Sequence, residues 1–387
     1  MTKTALETIH EKNKIINNII DTLRDRNNFL ILGHKNPDED CIASMVSFAL
    51  IVSKLSKQAH LYFSETVHEH FQYLLNICIH NAIDCNASIG VENTTIDTIV
   101  VCDTPKRSMV DTTLPIDMLF DNKGIRKIEI DHHLGADSQY IGDDRYCLVT
   151  EANSSSELVG LIAMKFQKRR DLLSKYNIQN LLSRNVILSV LTGIVGDTNM
   201  GQYIKSKRQK RYYDIFSNLY NNLLMEKTTQ ESNLMNKEEV FLEIQRLSAI
   251  EEDCFQYIYK KKKFSDSIGY VVLDRNDMDY LRGKFDNDTF VSVSRAIADK
   301  LAEESSRMGL VAFDDADNSN LIQFRLRRGQ GYKSFDLRRV LDLFSIEDGG
   351  GHEGAIGFRI TRNRVRGNID GFVVNMVSGI EKAVGAV

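Results

Sequence analysis

The run Phe29-Leu30-Ile31-Leu32 leads directly into Gly33-His34-Lys35-Asn36-Pro37-Asp38-Glu39-Asp40, and a helical pattern follows from about Cys41 to Leu55. A short, wholly apolar run reads as a strand buried on both faces, which restricts the fold to a sheet covered by helices on either side. His34, Asp38 and Asp40 then fall in a loop between strand and helix, where a parallel sheet places its chemistry. The arrangement recurs. Residues 96–103 end at Asp103-Thr104-Pro105, residues 125–130 at Asp131-His132-His133, and residues 186–195 at Gly196-Asp197-Thr198-Asn199. All four segments read as strands ending in acidic or acidic-plus-imidazole clusters. Ala59–Phe63 reads as a further strand, and helical patterns at 5–26, 67–80 and 154–168 alternate with these runs. Alternation of this kind predicts βαβ units and a mainly parallel sheet.

The length, 387 residues, suits two domains. The α/β N-terminal domain is expected over 1–215 and a helical connector over 216–265, where Lys205 to Tyr213 is basic and Asn221 to Glu239 polar. A smaller α/β C-terminal domain is expected over 266–387. Its strands are read at 269–273, 309–313, 320–326 and 357–361, and its helices at 290–306 and 335–344. Residues 321–366 hold ten Lys or Arg against five Asp or Glu, beside a glycine-rich loop, Gly349-Gly350-Gly351-His352-Glu353-Gly354. The net charge of −4 leaves no global basic field for long nucleic acid. The six cysteines include no C-x-x-C pair, which argues against zinc ribbons and redox motifs and fits reduced thiols in a cytoplasmic protein. The polar N-terminus lacks the apolar core of a signal peptide, and no apolar run reaches the ~18 residues of a membrane span.

Two divalent ions sharing one site lie about 3.5–4 Å apart and need hard donors, usually with one bridging carboxylate. His34, Asp38, Asp40, Asp103, His132 and Asp197 supply four carboxylates and two imidazoles. That set suits Mn²⁺ best, with Mg²⁺ or Co²⁺ allowed, and without thiolates it is unlike structural zinc. A single Asp at a strand end is more often a helix cap. Four such clusters make that reading a poor one.

The pattern His34-x-x-Pro37-Asp38-x-Asp40, Asp103, Asp131-His132-His133 and Asp197, followed by Gly349-Gly350-Gly351-His352, resembles the DHH phosphoesterase superfamily. It is most similar to the branch with a DHH-associated C-terminal domain, which includes oligoribonucleases acting on nano-RNA, 3′-phosphoadenosine-5′-phosphate phosphatases and dinucleotide phosphodiesterases. The resemblance implies one ion on His34, Asp38 and Asp103 and a second on Asp40, Asp103, His132 and Asp197, with Asp103 bridging. It implies that Asp131 orients a histidine, that His133 stabilises charge at the scissile phosphate, and that two-metal-activated water attacks. It also implies substrate binding by Arg295, Arg325, Gly350, Gly351 and His352. After Asp197-Thr198 the chain reads Asn199-Met200-Gly201 where the family often has glycine, an aromatic and arginine.

The expected function is Mn²⁺-dependent hydrolysis of di- to penta-nucleotides or cyclic dinucleotides to mononucleotides. The alternatives are 3′-phosphoadenosine-5′-phosphate phosphatase and cyclic di-AMP phosphodiesterase. A pyrophosphatase is disfavoured by the glycine-histidine loop, and a decayed nucleotide sensor by the completeness of the six ligands. No membrane partner is expected, and a homodimer is compatible with the sequence.

Overall fold

The computed structural model describes residues 2–64, 66–85, 96–204, 206–227, 234, 237–314, 320–329, 331–332, 334–365 and 368–385. Lys205, most of the polar stretch between 228 and 236, and residues 330, 333 and 366 of the basic stretch lie outside the described residues. The chain divides into two units, Met1–Arg246 and Leu247–Val387. That division falls inside the range 216–265 expected for the connector.

The first unit runs β1 (Thr2–Lys3), α1 (Ile9–Asp25), β2 (Asn28–Leu32), α2 (Glu39–Lys54), β3 (Gln58–Leu61), α3 (Gln72–His80), β4 (Asp84–Cys85) and β5 (Thr98–Cys102). It continues with α4 (Leu114–Asp121), β6 (Arg126–Asp131), β7 (Gly135–Gln139), β8 (Cys147–Val149), α5 (Ser155–Phe166), α6 (Arg170–Lys175), α7 (Arg184–Asp197), α8 (Lys207–Lys227) and α9 (Lys237–Ile244). The main sheet has the order β4-β3-β2-β5-β6-β8, and every described pairing within it is parallel. The strands alternate as a doubly covered sheet must. Phe29, Ile31, Val100, Cys102, Ile128 and Ile130 face one apolar layer, and Leu30, Leu32, Ile99 and Val101 face the other. The chain leaves β2 toward β3 on one side and β5 toward β6 on the other. Neighbouring strands β2 and β5 therefore flank a topological switch point, where the carboxyl ends of the strands open a crevice.

Helix α2 is buried from Asp40 to Val52 with no polar face, because it is sheathed by α5 and α7 as well as by the sheet. Burying each of its Leu, Ile, Val, Met or Phe side chains contributes roughly 1.5–3 kcal/mol. Helix α7 corrects the sequence expectation. Residues 186–195 form the middle of a helix, so Asp197 stands at a helix C-terminus instead of a strand end. A wholly apolar run has no periodicity to separate a buried helix from a buried strand, and its length of ten residues was the clue.

The second unit runs α10 (Ala249–Tyr259), β9 (Lys263–Phe264), β10 (Ile268–Val272), α11 (Arg275–Lys284), α12 (Asn287–Glu304), β11 (Met308–Asp314), β12 (Leu321–Arg328), α13 (Arg339–Leu343), β13 (Gly349–His352), β14 (Ala355–Thr361), α14 (Arg362–Val365) and α15 (Ile369–Gly385). Its sheet order is β13-β14-β12-β11-β10-β9, with β10 and β11 parallel and the other described pairs antiparallel. Phe324 and Phe358 meet Val373 and Ile380 of α15 on one face, and Val271 and Val311 meet Val293 and Ile297 of α12 on the other. The glycine-rich segment expected as a loop is an edge strand, and the turn proper is at Glu353-Gly354.

Candidate metal centre

The loops after β2, β5 and β6 converge with the C-terminus of α7, and all six ligand-type residues meet in the crevice. His34 Nδ1 lies 2.8 Å from the carbonyl oxygen of Lys35. That contact puts a hydrogen on Nδ1 and turns Nε2 inward. Nε2 stands 3.5 Å from Asp38 Oδ1 and 3.7 Å from Asp103 Oδ2. On the other side, His132 Nε2 stands 3.2 Å from Asp197 Oδ2, 3.4 Å from Asp103 Oδ1 and 3.9 Å from Asp40 Oδ2. Asp103 thus turns one carboxylate oxygen toward each imidazole. Asp103 sits at φ 49°, in the left-handed region, where short polar side chains are tolerated best. Asp38 is also the N-cap of α2, accepting from Cys41 N at 3.2 Å, so the capping and ligand readings of this residue coexist.

Charge in the crevice is out of balance. Burial, then Asp103 and Asp197, push the Asp40 carboxyl well above the usual carboxylate range. Burial pushes Asp197 up to about 7, with His132 opposing and Asp103 adding to the push. Burial alone would depress His132, yet Asp197, Asp103 and Asp40 hold it well above an ordinary imidazole. Carboxylates this close and this buried either hold protons or need positive charge among them. The donor set therefore fits divalent cations, and Asp40, His132 and Asp197 present donor atoms within 4.8 Å of one another.

Two features that the sequence did not single out organise the centre. The first turn of α5 holds Asp40: Ser155 N donates to Oδ2 at 2.5 Å and Ser156 N to Oδ1 at 2.9 Å, while Ser155 Oγ donates to Asp103 Oδ1 at 2.9 Å. A helix N-terminus is a natural seat for a carboxylate. Lys3 is the second. β1 pairs with β7 and carries its ammonium into the core, 2.5 Å from Asp131 Oδ2, 2.7 Å from Glu129 Oε1 and 2.7 Å from the Thr104 carbonyl. Asp131 in turn accepts from His133 Nδ1 at 2.8 Å. Burial opposes the Asp131 charge, but His133 and Lys3 outweigh it and hold the carboxyl well below its usual range. His133 is the more open of the two imidazoles, 32% exposed against 5% for His132.

The remaining expected residues lie in the second unit. Register places Arg325 of β12 beside Gly357 of β14, and Gly357 beside Gly350 of β13, so the three share one face of the sheet. A Cβ at Gly350 would meet nothing within 4 Å, which leaves a floor without side chains next to the guanidinium. Burial and the charges of Arg295, Arg327 and Arg359 press the Arg325 pKa well below its ordinary value, and Arg325 Nε has no described hydrogen-bond partner. An anion would relieve both conditions. Gly351 has a conformational requirement of its own: its φ is 132°, and a Cβ would lie 2.3 Å from the Ala355 carbonyl oxygen.

Residues 28–194 match the family model described as the DHH family, N-terminal domain. Among solved structures, the chain is similar to an exopolyphosphatase-related protein from Bacteroides fragilis, with a TM-score of 0.58 and 16% identity over 97% of this chain and 96% of that one. It also aligns with RecJ in complex with Mn²⁺ from Thermus thermophilus, at a TM-score of 0.49 and 10% identity over 100% of this chain and 56% of that one. A pGpG-specific phosphodiesterase, PggH, from Vibrio cholerae aligns at 0.35 and 10% identity over 91% and 100%. No curated protein sequence matches the chain.

Proposed function

We propose, because residues 28–194 match the model of the DHH family, N-terminal domain, that the chain is a phosphoric ester hydrolase and cleaves phosphodiester bonds of short nucleotides with two divalent cations. The observation that carries this reading is Asp103, with Oδ2 toward His34 and Oδ1 toward His132. His34, Asp38 and Asp103 would hold one cation, and Asp40, Asp103, His132 and Asp197 the other. Mn²⁺ suits this largely hard donor set best. Such cations supply Lewis-acid polarisation of a phosphoryl group and lower the pKa of water toward neutrality.

The chain's own groups do the rest. Asp131, anchored by Lys3, holds the His133 ring, which stabilises negative charge at the scissile phosphate. The α5 amides keep Asp40 from rotating, so the carboxylate is in place before substrate arrives. In the second unit, Arg325 grips a terminal phosphate above the Gly350 floor, with Arg295 adding positive charge and His352 a hydrogen bond. The substrates expected on this reading are di- to penta-nucleotides or the linear product of a cyclic dinucleotide. The balance of −4 over the whole chain suits them better than long polymers.

The test is a panel of pApA, cyclic di-AMP, a 5-mer RNA and 3′-phosphoadenosine-5′-phosphate with Mn²⁺, for the native chain and for Asp103→Ala. Turnover of the short diesters, lost in the variant, is the expected result. Turnover of 3′-phosphoadenosine-5′-phosphate alone would make the enzyme a phosphomonoesterase. Equal activity in Asp103→Ala would overturn the site.

A further inference from the structure

We propose that Cys41 Sγ is a fourth donor to the cation at the His34 position, so that the two cation positions differ in chemistry. The inference rests on the reading that His34, Asp38 and Asp103 hold a cation. Cys41 lies in the first turn of α2 and is fully buried. Its sulfur, a ring nitrogen of His34 and a carboxylate oxygen of Asp103 all lie within 4.8 Å of one another. A buried thiol in an ordinary core faces hydrocarbon. This one faces an imidazole and a carboxylate, and its own amide is bonded to the Asp38 carboxylate at 3.2 Å.

A second observation points into the same gap. Asp103 is 2% exposed, and its Oδ1 accepts from Ser155 Oγ. Its Oδ2 faces the His34 ring, with Nε2 3.7 Å away. A carboxylate, an imidazole and a thiol, each able to offer one ligand atom, therefore border one position. Gly33 makes room for the sulfur at the end of β2: a Cβ there would sit 2.2 Å from Cys41 Sγ and 2.8 Å from Met45 Sδ.

On binding, the S–H bond breaks, a sulfur–cation bond forms and the proton passes to solvent. One imidazole, two carboxylates and one thiolate rank Co²⁺ and Zn²⁺ above Mg²⁺ and Mn²⁺. The position around His132 has only imidazole and carboxylate donors and keeps the preference for Mn²⁺. Two unlike cations can then occupy adjacent positions.

Titration of the metal-stripped, full-length chain with Co²⁺, followed by absorption, tests this. The native chain should develop visible ligand-field bands together with a near-ultraviolet sulfur-to-cobalt charge-transfer band. Cys41→Ser and Cys41→Ala, each checked for native circular dichroism and melting, should keep the former and lose the latter. In both variants Zn²⁺ affinity at this position should fall by about tenfold or more, with Mg²⁺ affinity unchanged. Ligand-field bands with no charge-transfer band in the native chain, or a charge-transfer band surviving in both variants, would overturn the role of Cys41. Failure to bind Co²⁺ at all would instead overturn the cation reading itself.

Discussion

On the proposed two-cation reading, Asp103 is the residue on which both positions depend, since Oδ2 faces His34 and Oδ1 faces His132. Asp103→Asn should remove both cations: calorimetric titration with Mn²⁺ is expected to show two binding events in the native chain and neither in the variant. Ser155 is expected to act differently, since it touches Asp40 by its amide and Asp103 by its hydroxyl. Ser155→Ala keeps the amide and loses one orienting bond, so affinity should drop by about 10–100-fold while Ser155→Thr restores it. Lys3→Met leaves Asp131 and Glu129 buried without their cation. Urea unfolding should register a loss of about 3–5 kcal/mol. All six ligand-type residues were legible in the sequence because each ends or follows an apolar run. Ser155 and Lys3 were not. Their partners are 52 and 128 residues away in the chain, and nothing in the composition of Ser154-Ser155-Ser156 or Thr2-Lys3-Thr4 sets them apart from capping or surface residues.

At the level of elements, β2, β5 and β6 were readable because strands buried on both faces are short and wholly apolar. Helix α7 was misread for the same reason: a helix surrounded on every side loses its polar stripe. Its burial has a consequence at Gly193, where a Cβ would stand 2.3 Å from Asp40 Oδ1 and 2.3 Å from Ser156 Oγ. Gly→Ala in a helix ordinarily stabilises by about 1 kcal/mol. Here it should push α7 away from α2 and α5 and carry Asp197 with it. Gly193→Ala is therefore expected to weaken Mn²⁺ binding even though it raises helix propensity, and tight binding in that variant would show that the helices have slack. The segment 349–352 was legible in composition only. That it pairs as an edge strand depends on β14, whose register brings Gly357 between Gly350 and Arg325.

At the scale of the whole molecule, the two units have separate cores, and all six cation-type donors belong to the first. Mn²⁺ at a hundred times its dissociation constant should stabilise that unit by about 2.7 kcal/mol by mass action. In calorimetric melting, Mn²⁺ should raise one transition and a chelator lower it, while the transition of the second unit stays in place. A common shift of both would mean that the units unfold as one. The division into an α/β unit and a smaller mixed unit was readable from where periodicity and charge change along the chain. The sequence could not reveal that the chain's first described strand belongs to the centre. β1 lies against β7 and delivers Lys3 to the carboxylate that holds His133. For anyone redesigning the protein, residues 2–5 are thus not expendable: without them Asp131 and Glu129 would be left buried around an empty slot where the Lys3 ammonium sits.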